Sequence, residues 1–270
     1  MSRTLCAQLP EPTGAGLIWA SAADASGRSY LADEFNHRIL VEEPDGRTWS
    51  FGSPGSGAGE FRFPRGIAVV QEAAAGETRV FVGDTWNHRV QVFTGSGELV
   101  YGFGGEGEGP GQFRMPGGVA LATPELPWEG DGALGVSVPM LVVADEWNSR
   151  VQVFTLDGVW LATLTSRPRA RSEETAGRGW PFFRLADMTI PRDPVRVSWT
   201  APWLTVVGGN GRAHRLDLAA MLLPHFEEWV GTAGDAERAH AYRYFSMSRG
   251  GRRALPAAVL SILNSTQALA

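Results

Sequence analysis

Residues 51–69, FGSPGSGAGEFRFPRGIAV, align without a gap to residues 103–121, FGGEGEGPGQFRMPGGVAL. Phe51 matches Phe103, Phe61 matches Phe113, Pro64 matches Pro116 and Gly66 matches Gly118, each 52 residues apart. A second phrase recurs with them: ADEFNHRILVE at 32–42, GDTWNHRVQVF at 83–93 and ADEWNSRVQVF at 144–154. Asp33, Asn36 and Arg38 thus correspond to Asp84, Asn87 and Arg89, and to Asp145, Asn148 and Arg150. A catalytic group is needed once, whereas a structural device is needed once per unit. The repetition therefore points first to architecture.

The order within a unit is legible. A glycine-rich crossing leads to Phe61 or Phe113 and a proline, then to an apolar strand at 67–70 or 119–121. A second strand, 80–82 or 141–143, ends in Ala or Gly and then Asp. After the turn come a third strand (90–93 or 151–154), a glycine-containing turn, and a fourth strand (99–103 or 159–164). Four short antiparallel strands at a spacing near fifty residues make the pattern of a propeller blade. Apolar residues on both parities predict burial on both faces, as when each blade lies between two others. The 34 glycines and 17 prolines suit many turns. A length of 270 residues fits one all-β unit of this kind, and 43% hydrophobic with 20% charged residues predicts a globular chain.

The string Phe-x-x-Pro-x-Gly-[Ile/Val]-Ala, followed by an apolar strand closing on Asp-x-x-Asn-His-Arg, resembles the NHL-repeat family of β-propellers. The resemblance covers residues 30–164, and residues 203–218 keep the strand–turn–strand rhythm while lacking the Asp and the aromatic. It implies an all-β, NHL-type propeller of about four recognisable blades over residues 1–216. Propellers of this family usually have six, so divergent blades are hidden or the ring is partial, small or open. Residues 217–270 read as a helical appendage, because DAERAHAYRYFSMS and PAAVLSILNS lack a strand pattern. MLLPHFEEWV would offer an apolar stripe to cover a blade edge. An uncovered edge would invite another chain, which leaves homo-oligomers open. The third unit is longer: Pro64 to Asp84 spans 20 positions and Pro116 to Asp145 spans 29.

Composition narrows the chemistry. Cys6 is the only cysteine, which excludes an internal disulfide. All 24 basic residues are arginine, which excludes a lysine Schiff base and a P-loop lysine. A net charge of −5 argues against nucleic acid, and Arg167, Arg169 and Arg171 are diluted by Glu173 and Glu174. No Gly-x-Ser-x-Gly elbow occurs. Neither a secretory leader nor an apolar run of membrane length is read, so a soluble, cytoplasmic protein is expected. His37 and His88 share a position, but Ser149 stands third, and a catalytic zinc commonly needs three protein ligands. No metal, cofactor or catalytic residue is therefore assigned.

The repeated Asp-x-x-Asn-x-Arg is read as a turn device, with the arginine reaching a carboxylate or carbonyl of the neighbouring blade. Between Asp and Asn each clear unit also holds an aromatic residue, Phe35, Trp86 or Trp147. The turn chemistry does not require it. Either these rings seal the grooves between blades, or they form, with His37 and His88, a recognition arc on one face. The expected function is a non-enzymatic interaction module for a protein or small ligand. A lyase or hydrolase at the channel mouth is the alternative.

Overall fold

The computed structural model describes residues 16–71, 77–126, 136–137, 139–165, 183–185 and 194–220. They form a four-blade propeller arrangement. Blade one is β1 (Ile18–Ala23), β2 (Ser29–Asp33), β3 (Arg38–Glu42) and β4 (Thr48–Phe51), antiparallel in chain order. A glycine-rich crossing pinned by the short parallel pair β5 (Ser53–Pro54) and β6 (Glu60–Phe61) leads outward-to-inward to blade two. That blade is β7 (Pro64–Gln71), β8 (Thr78–Asp84), β9 (Arg89–Thr94) and β10 (Leu99–Gly104). Blade three begins with β11 (Pro116–Ala122). The longer loop after it carries a small ribbon, β12 (Glu125–Leu126) with β13 (Val136–Ser137). The blade continues with β14 (Met140–Asp145), β15 (Arg150–Phe154) and β16 (Trp160–Thr165), and β17 (Phe183–Leu185) joins β16 in parallel. Blade four is β18 (Pro194–Thr200), β19 (Trp203–Gly208) and β20 (Ala213–Asp217), three antiparallel strands among the described residues.

The expected strands of blades two and three are all present; the inner strands β7 and β11 start three residues earlier than expected, at the proline. The strand β1 lies ahead of the first repeat read from sequence. The expected helical segment 217–270 lies outside the described residues, apart from its first positions. Asp217 closes β20, and its Oδ1 accepts the Ala220 N–H at 3.0 Å, as an N-cap does.

Strand alternation builds the core between blades. Along β8, Val80 and Val82 pack toward blade one with Tyr30, Ile39, Val41, Phe61 and Phe93. Phe81, between them, packs toward blade three with Val90, Val92, Phe113, Leu141 and Phe154. The repeat is visible in the ring contacts. Phe93 meets Phe51 and Phe61 at 5.0 and 5.4 Å, and Phe154 meets Phe103 and Phe113 at 5.0 and 5.5 Å. The anchoring phenylalanines of the crossing thus close each inter-blade groove. Tyr30 adds a polar tie, its hydroxyl donating to the Gly95 carbonyl of blade two at 3.1 Å.

Each inner strand starts the same way. Ile18 pairs with Asp33, Pro64 with Asp84, Pro116 with Asp145 and Pro194 with Gly208, and a register shift follows at once. The Pro-x-Gly of the motif occupies that bulge. A Cβ on Gly66 would lie 2.3 Å from the Gly117 carbonyl oxygen and 2.6 Å from Val119 Cγ2. One on Gly118 would lie 2.8 Å from Arg196 Cα. These glycines let the inner strands of adjacent blades touch backbone to backbone.

Gly66→Ala should therefore cost on the order of 3 kcal/mol, because a packed backbone must move. Gly46→Ala is the control: its φ is +84° with nothing within 4 Å of the added Cβ, so about 1 kcal/mol of strain is expected. Urea denaturation of both variants checks the order; equal losses would show that the close approach is unimportant.

Candidate functional site

The turn between the second and third strands of blades one, two and three is built around a fully buried aspartate. Asp84 Oδ1 accepts the Arg62 N–H at 2.7 Å, and Asn87 Nδ2 bridges both carboxylate oxygens. Oδ2 accepts from Arg89 Nε at 2.8 Å and Gln91 Nε2 at 3.2 Å. Asp145 repeats this with the Arg114 N–H, Asn148, Arg150 and Gln152. Asp33 does so with the Gly16 N–H, Asn36 and Arg38. Burial is the largest influence on Asp84 and Asp145 and pushes both carboxyls up, against the downward pull of these donors.

The arginines of blades two and three reach further, to carbonyls of the crossing. Arg89 Nη2 donates to the carbonyls of Gly57 and Glu60, and Asn87 to that of Gly55. Gln91 closes the clasp, accepting the Gly59 N–H and donating to Glu60 O. Arg150, Asn148 and Gln152 hold residues 107–112 in the same manner. The turn thus grips the crossing that arrives from the preceding blade. The glutamines were missed in the sequence, although Gln-Val-Phe stands in both full copies.

Phe35, Trp86 and Trp147 follow these aspartates, and all three are exposed, at 60%, 49% and 64%. The grooves between blades are closed by the crossing phenylalanines. The Phe63 ring stands between two of them, 6.2 Å from Phe35 edge-on and 5.2 Å from Trp86. The backbone N–H of Trp86 bonds to Arg62 O and that of Trp147 to Arg114 O, so each tryptophan is seated by its backbone on the loop that opens its own blade. His37 and His88 lie beside them. Their Nδ1 atoms accept the N–H groups of Phe63 and Met115 at 3.0 and 3.2 Å. The structure thus gathers Phe35, His37 and Trp86 around Phe63, with His88 and Trp147 joined to the next loop at Met115 and Arg114.

Toward the axis the repeat breaks down. Strand register makes Trp19, Arg65, Gly117 and Val195 equivalent, one from each inner strand. The Arg65 guanidinium lies 4.5 Å over the Trp19 ring. Its Nε donates to Glu34 at 2.8 Å, and Nη1 is 3.5 Å from Glu146. Glu34 and Glu146 are themselves equivalent, with Thr85 between them in sequence order; Thr85 Oγ1 donates to Pro116 O at 2.8 Å. One cation therefore joins the turns of blades one and three. The sequence signal was available, since Arg65 faces Gly117 across an otherwise close alignment.

Among the described residues no group of three or more His, Cys, Asp or Glu side chains is arranged to hold a metal ion. No described helix is long and apolar enough to cross a membrane.

No protein-family model and no curated protein matches this sequence. Solved structures similar in chain path include catalytically inactive virginiamycin B lyase from Staphylococcus aureus with quinupristin, 11% identical, TM-score 0.43, covering 79% of this chain. Kuenenia stuttgartiensis hydrazine synthase is 11% identical over 80% of this chain, with a TM-score of 0.47. The computationally designed Ika4 protein is 13% identical over 75% of this chain and 91% of its own, at TM-score 0.41. The chain spans only 60% of the lyase and 50% of the synthase. These likenesses concern the course of the backbone alone.

Asp84→Ala should lower stability by about 3 kcal/mol, since it strands buried donors of the turn and the crossing together. Chemical denaturation measures it. An unchanged midpoint would mean that Asp84 serves a site rather than the fold.

Proposed function

We propose that this chain is an NHL-type propeller acting as a non-enzymatic interaction module, with residues 1–216 as the propeller and 217–270 as its appendage. The partner, a protein or small ligand, is bound on the face that carries the Asp-x-x-Asn turns. The observation that carries this reading is the exposure of Phe35, Trp86 and Trp147 at equivalent turns. Large aromatic rings left in water at a repeated position serve no groove-sealing purpose, and they supply contact area at small entropic cost.

A second reading has one observation in its favour. The cluster of Trp19, Glu34, Arg65 and Glu146 occurs once, as an active site would, near the axis where a lyase or hydrolase would work. Against it, Arg65 is already engaged by both carboxylates and by the indole ring, which makes the cluster a tie between blades.

The test begins with partners captured on the immobilised protein and identified by mass spectrometry, followed by affinity measurement with the purified partner. Trp86→Ala and Trp147→Ala should each weaken binding by roughly 10-fold or more, as for a lost hot-spot aromatic, with Tm nearly unchanged. Wild-type affinity in both variants would overturn the reading. Loss of a turnover reaction in Arg65→Ala, with binding intact in the tryptophan variants, would favour the enzyme.

A further inference from the structure

His37 and His88 end their turns in the left-handed region, at φ of 54° and 55°. Histidine enters that region more readily than most side chains. From there each ring reaches the loop that opens the next blade, where its Nδ1 accepts the N–H of Phe63 or Met115. Phe63 and Met115 are themselves left-handed, at φ of 50° and 56°. Bulky residues hold such a conformation only where their surroundings impose it. The histidine acceptor on the preceding blade is one such restraint. The His37 ring also packs edge-on against Phe63 at 4.5 Å.

This restraint exists in one protonation state only. Nδ1 accepts a hydrogen bond when the ring is neutral and the proton is on Nε2. A second proton turns Nδ1 into a donor facing a donor, so the bond is lost and a backbone N–H is left without its acceptor. We propose that His37 and His88 are positioning residues for the aromatic face, and that their protonation releases the Phe63 and Met115 loops and so makes the face pH-gated. The consequence for recognition is direct, because Phe63 is the ring between Phe35 and Trp86. The gating of binding rests on the reading of that face as the binding surface; the hydrogen-bond switch itself does not.

The charged groups around each ring are largely matched with one another. Near His37 stand Asp33 paired with Arg38, Glu34 paired with Arg65, and Arg62 beside Phe63. Near His88 stand Asp84 paired with Arg89 and Arg114 paired with Glu108. Glu106 adjoins Gly105, whose N–H bonds the His88 carbonyl. The third blade carries Ser149 at this position, left-handed at φ 50°. The switch therefore acts at two junctions, between blades one and two and between blades two and three.

The test uses the whole chain without any partner. Amide hydrogen exchange of Phe63 and Met115 is followed by NMR at about pH 8 and about pH 5, spanning ordinary histidine titration, with rates corrected for intrinsic pH dependence. Protection at these two amides should fall about tenfold at the lower pH, the loss expected for one hydrogen bond, while the Val82 and Val143 amides stay protected. His37→Asn with His88→Asn is the rescue: the Asn Oδ1 stands where Nδ1 stood, tolerates the left-handed region and does not titrate. This variant should keep protection at both pH values. Should it fail to fold, the nitrogen shifts of the wild-type imidazoles decide, since both Nδ1 atoms must be unprotonated at the higher pH. Unchanged wild-type protection, equal loss in the Asn variant, or an Nδ1-protonated ring at about pH 8 would each overturn the proposal. A switch present in the free chain, with binding indifferent to Trp86 and Trp147, would instead fault the assignment of the face.

Discussion

Three of the described blades turn on a carboxylate that water cannot reach. Asp84 has no exposed surface, so each of its lone pairs must find a donor inside the protein. The donors come from three places: the turn (Asn87), the outgoing strand (Arg89 and Gln91) and the arriving loop (Arg62 N–H). Satisfying one side chain therefore sets the sharpness of the turn, the start of the inner strand and the docking of the crossing. The same solution appears at Asp145 and, with Leu40 in place of the glutamine, at Asp33. Blade four has Gly208 at this point, and it is the blade whose motif is hardest to see in the sequence.

The repeat made the strands of blades two and three legible, because a period of two on both faces is written in the apolar residues themselves. What it concealed were the places where units differ. Strand β1 has Ile18, Trp19 and Ala20 where blades two and three have Pro-x-Gly, so no string search reveals it. Gln91 and Gln152 were in plain view, yet a glutamine in an apolar strand carries no mark of a partner 31 or 40 residues earlier. The exposure of Phe35, Trp86 and Trp147 runs against the usual burial of such rings. It follows from the turn: the Asp two residues before each ring faces inward, and the short 3-10 turn at 85–87 or 146–148 carries its middle residue out.

The axis and the rim have divided the work. Near the axis, Arg65 engages Trp19, Glu34 and Glu146 and ties three blades through an arrangement that Arg65 and Trp19 make unique. At the rim, equivalent side chains recur from blade to blade and point to water. A tie that is unique holds a unique geometry; a ring that recurs offers several similar contacts, and weak contacts repeated on a rigid frame add up when a partner can reach them together.

The glycine contact between inner strands has a geometric meaning of its own. Gly66 and Gly118 act as the narrow ends of wedges, and the angle of a wedge decides how sharply a stack of sheets curves. Blade four carries Arg196 at that position, exposed to solvent. At that point β18 therefore carries a long side chain where β7 and β11 carry none. Among the described blades the close approach therefore marks the junctions at Gly66 and Gly118, which gives the stack a direction that a uniform repeat would not have.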